Sequence, residues 1–254
     1  MGNSEPSSVE VEIERLRRAL EAEARRSVEI QRNLDGANAE FEEFVSIAAH
    51  NLLESLREVA SYSQLMAEAS DGAAGEYLEH IQEATGQAQT LLGDIVDYWG
   101  GMGERPSTPV EMETVLCQAL LLADKPIAER GAVVTHDPLP AVIGDFDVLT
   151  KVLRHLLANA LEYCDAPSPR VHISAVREDS ECMFSVRDNG PGIDPEFHGR
   201  LFSPFKRLHG QEYPGHGLGL AFCKRAIEWQ GGRIWLESPP GAGATFHFAL
   251  PAAD

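Results

Sequence analysis

Long apolar runs are missing from these 254 residues, and so is any surplus of positive charge. No stretch approaches the roughly 18 apolar residues of a membrane span, and the polar start MGNSEPSSVE lacks the apolar segment of a secretory signal. With 40 acidic against 21 basic side chains the net charge is −19, a sign that repels phosphate backbones and excludes general nucleic-acid binding. Residues 1–100 hold 20 acidic and 7 basic side chains, so the basic residues concentrate in the C-terminal part. Cysteine is scarce too. Cys117, Cys164, Cys182 and Cys223 form no C-x-x-C pair, which excludes structural zinc and a disulfide framework and fits free thiols in the reducing cytoplasm. Pro6 stands where a myristoylation signal needs Ser or Thr. What remains is an ordinary globular composition, long enough for two modest domains.

The first of these is helical. A heptad frame runs through Val9, Ile13, Leu16, Leu20, Ile30, Leu34, Ala37, Phe41, Phe44 and Ala48, interrupted only at Glu23 and Ser27. Apolar residues at alternating steps of three and four, with charges elsewhere, predict a long helix with a dimer seam. His50 falls outside that seam, facing solvent, while Leu52, Leu56, Val59 and Met66 resume the apolar stripe. The small residues of SDGAAG, 70–75, predict a helix break, and a second periodic segment follows to Trp99. Two such hairpins in a homodimer make a four-helix bundle. The Gly- and Pro-rich stretch GGMGERPSTP, 100–109, reads as a linker. Beyond it the pattern alternates: helices near 111–130, 145–163 and 217–230, with strands at 133–134, 170–177, 182–188, 233–237 and 244–249. That predicts an α+β fold, a hairpin followed by a two-layer sandwich with helices on one face of a sheet.

Three local motifs carry chemistry. Val186-Arg-Asp-Asn-Gly-Pro-Gly-Ile193 ends a strand with a carboxylate and a glycine turn. Gly215-His-Gly-Leu-Gly-Leu220 opens a helix, where glycines let backbone amides meet phosphate oxygens. Upstream, His155-Leu-Leu-Ala-Asn159-Ala-Leu-Glu-Tyr163 sets His155 and Asn159 four apart on one helix face. Each alone is weak. In this order, with LFSPFKRLH between the glycine boxes, they resemble the Bergerat-type ATP-binding domain of sensor histidine kinases over 111–251. Phe44-Val-Ser-Ile-Ala-Ala-His50-Asn-Leu-Leu-Glu-Ser-Leu-Arg57 resembles the dimerisation and phosphoacceptor segment of the same kinases. Its pattern and that of residues 231–251 are similar to the phytochrome-like subfamily.

The resemblance implies a division into a coiled-coil signalling helix (1–37), a dimerisation and histidine phosphotransfer hairpin (38–101), a linker (102–110) and a catalytic ATP-binding domain (111–254). It implies ATP and Mg²⁺ as cofactors, His50 as phosphoacceptor with Asn51 beside it, and a response-regulator receiver domain as the recipient of the phosphoryl group. Asp188 would read the adenine amino group, with Gly190 and Gly192 permitting close approach. Asn159 and His155 would serve the metal, and Tyr163 would close the same box. Phe205, Lys206 and Arg207 would belong to the lid, and Gly215, His216, Gly217, Leu218 and Gly219 would line the phosphates. Phe202 serves equally well as plain core packing.

Five positions depart from the family pattern, among them His216, which replaces a frequent threonine in the second glycine box. Asn51 replaces an acid that orients the imidazole and takes up its proton, a base worth roughly 10²–10⁴ in rate. Ser55 replaces a helix-bending proline. His155 replaces an asparagine, and Glu162 replaces a lysine near the phosphates. Two readings follow: a cytoplasmic histidine kinase core, or a degenerate pseudokinase scaffold for a response regulator or another kinase. About 35 residues precede the family match, too few for a folded sensor, so the input is expected from a separate sensor protein or from a longer chain of which this is a part.

Overall fold

The computed structural model describes residues 8–68, 74–100, 102–164, 166–207, 216–239 and 241–253. They divide into two compact units, Met1–Asn51 and Leu52–Asp254. Helix α1, Ser8–Glu68, spans 61 residues and contains no proline, so nothing interrupts its i→i−4 ladder. Ser55 is buried toward its C-terminal end, and the helix runs through that position without a break. Of the heptad residues in the first unit, Phe44 and Ala48 are buried, whereas Ile30 and Phe41 are exposed. The side chains of Val9, Ile13, Leu16, Leu20, Leu34 and Ala37 lie outside the described residues.

In the second unit α2, Ala74–Trp99, returns beside the end of α1. Tyr62 stacks on His80 with ring centroids 4.6 Å apart, and meets Tyr77 at 6.4 Å. The expected break at 70–75 largely falls on residues outside those described, and α2 begins at its end.

The rest of the unit forms the sandwich. A two-stranded antiparallel pair joins β1, Pro109–Glu111, to β3, Ala141–Ile143. The main sheet comprises β2 (Val133–His136), β4 (Arg170–Glu178), β5 (Glu181–Asp188), β7 (Thr245–Pro251) and β6 (Arg233–Glu237), in the order β2-β4-β5-β7-β6. Only β2–β4 is parallel. Alternation along the strands sends Val171, Ile173, Phe184, Val186, Phe246 and Phe248 into the core, and Phe184 stacks on its ladder partner Phe248 at 4.9 Å. Three helices cover that face: α3 (Met112–Leu122), α5 (Phe146–Glu162) and α7 (Gly219–Trp229). α5 presents Leu149, Val152, Leu153, Leu156, Leu157, Ala160 and Leu161 along one stripe, the 3.6-residue period of a helix packed on a sheet. Asp145 caps it by accepting a hydrogen bond from the Val148 amide.

The helix expected near 111–130 is two helices, α3 and α4 (Asp124–Arg130). Pro126 in the first turn of α4 has no amide for the i−4 carbonyl and its ring would clash there, so a single helix cannot run through. The strands β1 and β3 and the short helix α6, Pro195–His198, were not expected from the pattern. The linker is tied down. Arg105 donates to the Gln230 carbonyl at 3.2 Å, and the Trp229 indole donates to the Gly103 carbonyl at 3.0 Å.

Candidate functional site

A cleft of about 320 Å³ opens between α5, the turn after β5, the segment 201–207, the start of α7 and the last turns of α2. Asn159, His155, Glu162 and Tyr163 reach it from α5. Asp188 and Gly192 reach it from the end of β5 and the turn after it, Lys206 and Arg207 from the segment 201–207, and His216, Gly217 and Gly219 from the approach to α7. Five separate stretches of sequence thus meet in one cavity.

Asp188 is held by its neighbours. Its Oδ1 accepts from the Gly190 amide at 2.8 Å and from the Ala244 amide at 3.0 Å. Burial raises its pKa, and these two amides and Arg187 oppose the rise. The turn has no room for side chains. A Cβ on Gly190 would lie 3.0 Å from Asp188 Oδ1, and one on Gly243, at φ 80°, would lie 2.2 Å from the Asp188 carbonyl. Gly192 is at φ 77°, a region open to glycine. Gly243 was missed in the sequence, although Gly241-Ala-Gly243 ahead of a strand is a legible turn signal.

The second glycine box is a stem. The Phe205 amide donates to the Gly217 carbonyl at 2.9 Å, joining the end of the segment 201–207 to the approach to α7. Phe205 is at φ 59° and Gly217 at φ 71°, and a Cβ on Gly217 would press on the Lys206 carbonyl oxygen at 2.9 Å. Gly219 is needed for a different contact, since its Cβ would meet His155 Nδ1 at 2.9 Å. Leu218 is buried and lies beside the cleft rather than lining it. Phe202 packs edge-on to Phe246 at 6.4 Å, a core contact. Gly215 lies outside the described residues.

Burial makes the α5 wall unusual. It holds His155 well below its ordinary range, at about 4, helped by Arg154 and opposed by Asp94 and Asp97, so the ring is neutral at pH 7. The imidazole packs on Phe222 at 5.3 Å, and Nε2 has no hydrogen-bond partner among the described residues. Glu162 is pushed up to about 7, first by burial and then by Asp94, against the pull of Arg130 and Arg207. Burial raises Tyr163 also, reinforced by Glu162. No group of three or more His, Cys, Asp or Glu among the described residues is arranged to hold a metal by itself. Mg²⁺ bound through one or two protein oxygens plus phosphate and water needs no such group. Asn159 offers an amide oxygen of that kind in the cleft, whereas the packed imidazole of His155 is a poor donor to a hard cation.

His50 and Asn51 belong to the other unit, on α1, where His50 is exposed.

A carboxylate at a glycine turn, an asparagine on α5 and the glycines ahead of α7 line one cleft. Residues 144–254 match the family described as histidine kinase-, DNA gyrase B-, and HSP90-like ATPase. Cyanobacterial phytochrome A of Nostoc sp. (strain PCC 7120) is 41% identical over 229 residues, 88% of this chain and 30% of that protein. The chain belongs to the histidine kinase family. Phytochrome-like protein Cph1 of Synechocystis sp. (strain PCC 6803) is 37% identical over 238 residues, 91% of this chain and 32% of its own length. The chain therefore spans about a third of these relatives. Its fold is similar to histidine kinase ThkA solved with response regulator protein TrrA, with a TM-score of 0.67 and 21% identity over 83% of this chain and 61% of that one. No helix among the described residues is long and apolar enough to cross a membrane.

Proposed function

We propose that this chain is the core of a two-component histidine kinase that autophosphorylates His50 from Mg-ATP and passes the phosphoryl group to an aspartate of a response regulator. The observation that carries the reading is the cleft itself, in which Asp188, Asn159 and the glycine stem of the lid converge although they lie far apart in sequence. Asp188 accepts a hydrogen bond from the adenine amino group, Asn159 would hold the metal through its amide oxygen, and Lys206 and Arg207 offer charge to the phosphates. Mg²⁺ would neutralise charge on the phosphate oxygens when bound. A neutral imidazole nitrogen of His50 attacks the γ-phosphorus. The N–P bond forms as the bond from the γ-phosphorus to the β–γ bridging oxygen breaks, ADP leaves, and the imidazole proton passes to solvent. Asn51 can orient the ring but cannot take that proton, so the rate rests on positioning and charge neutralisation.

The same proposal contains a homodimer built on the α1–α2 hairpins, the division at 37, 101 and 110 expected from the sequence, and a cytoplasmic location where ATP and receiver domains are available. The response regulator docks beside His50, on exposed residues that include Leu53 and Arg57. The test is transfer of labelled γ-phosphate from Mg-ATP to the protein, beside His50→Gln. Acid-labile, base-stable label on the unsubstituted chain and none on the variant is the expected result. No label on folded, dimeric protein overturns the kinase reading and leaves the pseudokinase scaffold.

A further inference from the structure

One wall of the cleft comes from outside the ATP-binding domain. Thr90 and Asp94 of α2 line it alongside His155, Glu162, His216 and Gly217. Asp94 Oδ2 lies 3.6 Å from His216 Nδ1, and both side chains are less than one-fifth exposed. Asp94 also lies close enough to Glu162 to disfavour its ionisation. These neighbours are the residues at the lid and α7 end of the cleft, opposite the role given to Asp188.

The end of α2 is held there by a specific set of charges. α2 has no basic residue in its last turn, yet Asp97 sits in that turn, where the negative end of the helix dipole makes a carboxylate unfavourable. The ATP-binding domain supplies the missing cations. Lys151 Nζ meets Asp97 Oδ1 at 2.6 Å and Arg154 meets Oδ2 at 3.5 Å. Arg225 of α7 lies over both Tyr98 and Trp99, 5.2 and 4.9 Å from the ring centroids. Asp97 does not line the cleft. Its contacts fasten the helix and thereby carry Asp94 into place.

We propose that Asp94 is a specificity-determining residue of the nucleotide site, a hairpin carboxylate that weights the docked protein against a triphosphate relative to a diphosphate, with Asp97, Tyr98 and Trp99 as the latch that keeps it there. The proposal rests on the cleft being the nucleotide site. A carboxylate facing the lid end repels each added phosphate charge, in a half-buried setting where water screens poorly. Because the carboxylate belongs to the hairpin, nucleotide preference is coupled to whether α2 is docked.

The test is calorimetric binding of AMPPNP, ADP and adenosine, with Mg²⁺, to the full chain and to Asp94→Asn and Asp97→Asn, each checked for its folded circular dichroism. Asp94→Asn should tighten AMPPNP about tenfold and ADP about threefold, leaving adenosine unchanged, and raised salt should shrink the gain. Asp97→Asn, which substitutes no cleft residue although its partner Arg154 lines the cleft, should reproduce the same ranking by releasing the latch. An AMPPNP-to-ADP affinity ratio that is equal in all three proteins overturns the proposal while leaving the nucleotide site standing. A gain in Asp94→Asn alone keeps the residue and overturns the latch. No binding of any of the three ligands to any protein overturns the underlying nucleotide reading.

Discussion

Residues 52–99 bury few large apolar side chains, Leu91 among them, whereas residues 109–253 enclose a large core although Leu121 and Leu122 stay exposed. The hairpin segment leaves Leu53, Leu56, Leu65, Met66, Leu78, Leu92 and Val96 between about two-fifths and three-fifths exposed, while Leu149, Leu153, Leu156 and Leu157 of α5 are sealed against the sheet. A pair of helices cannot bury two stripes, whereas a helix layer on a five-stranded sheet can. The ATP-binding domain is therefore complete in one chain. The hairpin carries a surface suited to a second copy, in keeping with the proposed homodimer.

Core truncation should break the symmetry most sharply. Leu156→Ala is expected to cost about 2–5 kcal/mol, because a fully enclosed side chain leaves a cavity that its surroundings only partly fill. Leu92→Ala on the exposed stripe should change monomer stability by no more than about 0.5 kcal/mol while weakening self-association. Thermal melts across a dilution series separate the two. Equal losses in both variants at low concentration would remove the contrast.

A smaller effect probes the wall of the cleft. Gly219→Ala should destabilise by about 1–3 kcal/mol, since the added methyl must displace the His155 ring 2.9 Å away. Adding His155→Ala should return part of that loss. Strict additivity in the double variant, measured by denaturant unfolding, would show that the two positions do not press on each other.

The smallest expected effect comes from Glu162. Its folded pKa is raised from 4.5 to about 7, so the native state favours the protonated form. The stability this confers is fully present below about pH 4.5 and is lost as pH rises through 7. Glu162→Gln should thus be more stable than the unsubstituted protein at pH 8, by about 1–2 kcal/mol after allowance for partial solvent screening, and equal to it near pH 4.5. His155 works the other way, since its depressed pKa costs stability as pH falls below about 6.5 toward 4. A Glu162→Gln melt that tracks the unsubstituted protein at every pH would mean that the carboxyl is better solvated than its position implies.

The motifs were legible because each works through its own neighbours in sequence. Asp188 and Gly190 make their hydrogen bond two residues apart, and Asn159 and His155 share a helix face by spacing alone. The break before Pro126 was missed although its signal is local, and the structure shows two helices where one was expected. The strands β1 and β3 gave no signal, because three residues are too few to show alternation and their pairing joins Val110 to Val142 across the whole of α3 and α4. Phe202 was ambiguous in sequence, and only its contact with Phe246 assigns it to the core. The linker looked free because composition reports how a chain can bend, not what Arg105 and Trp229 later bond.

By itself, then, the sequence determined the fold class, the kinase family and about half of the residues lining the cleft, since periodicity, turn chemistry and short motifs are properties of neighbouring positions. Tertiary structure alone decided that Asp94 and Asp97 lie against the ATP-binding domain, that Gly219 is small to make room for His155, and that Glu162 and His155 are driven from their ordinary protonation. Those outcomes depend on burial and on charges brought together from distant parts of the chain, and neither quantity exists before the chain is packed.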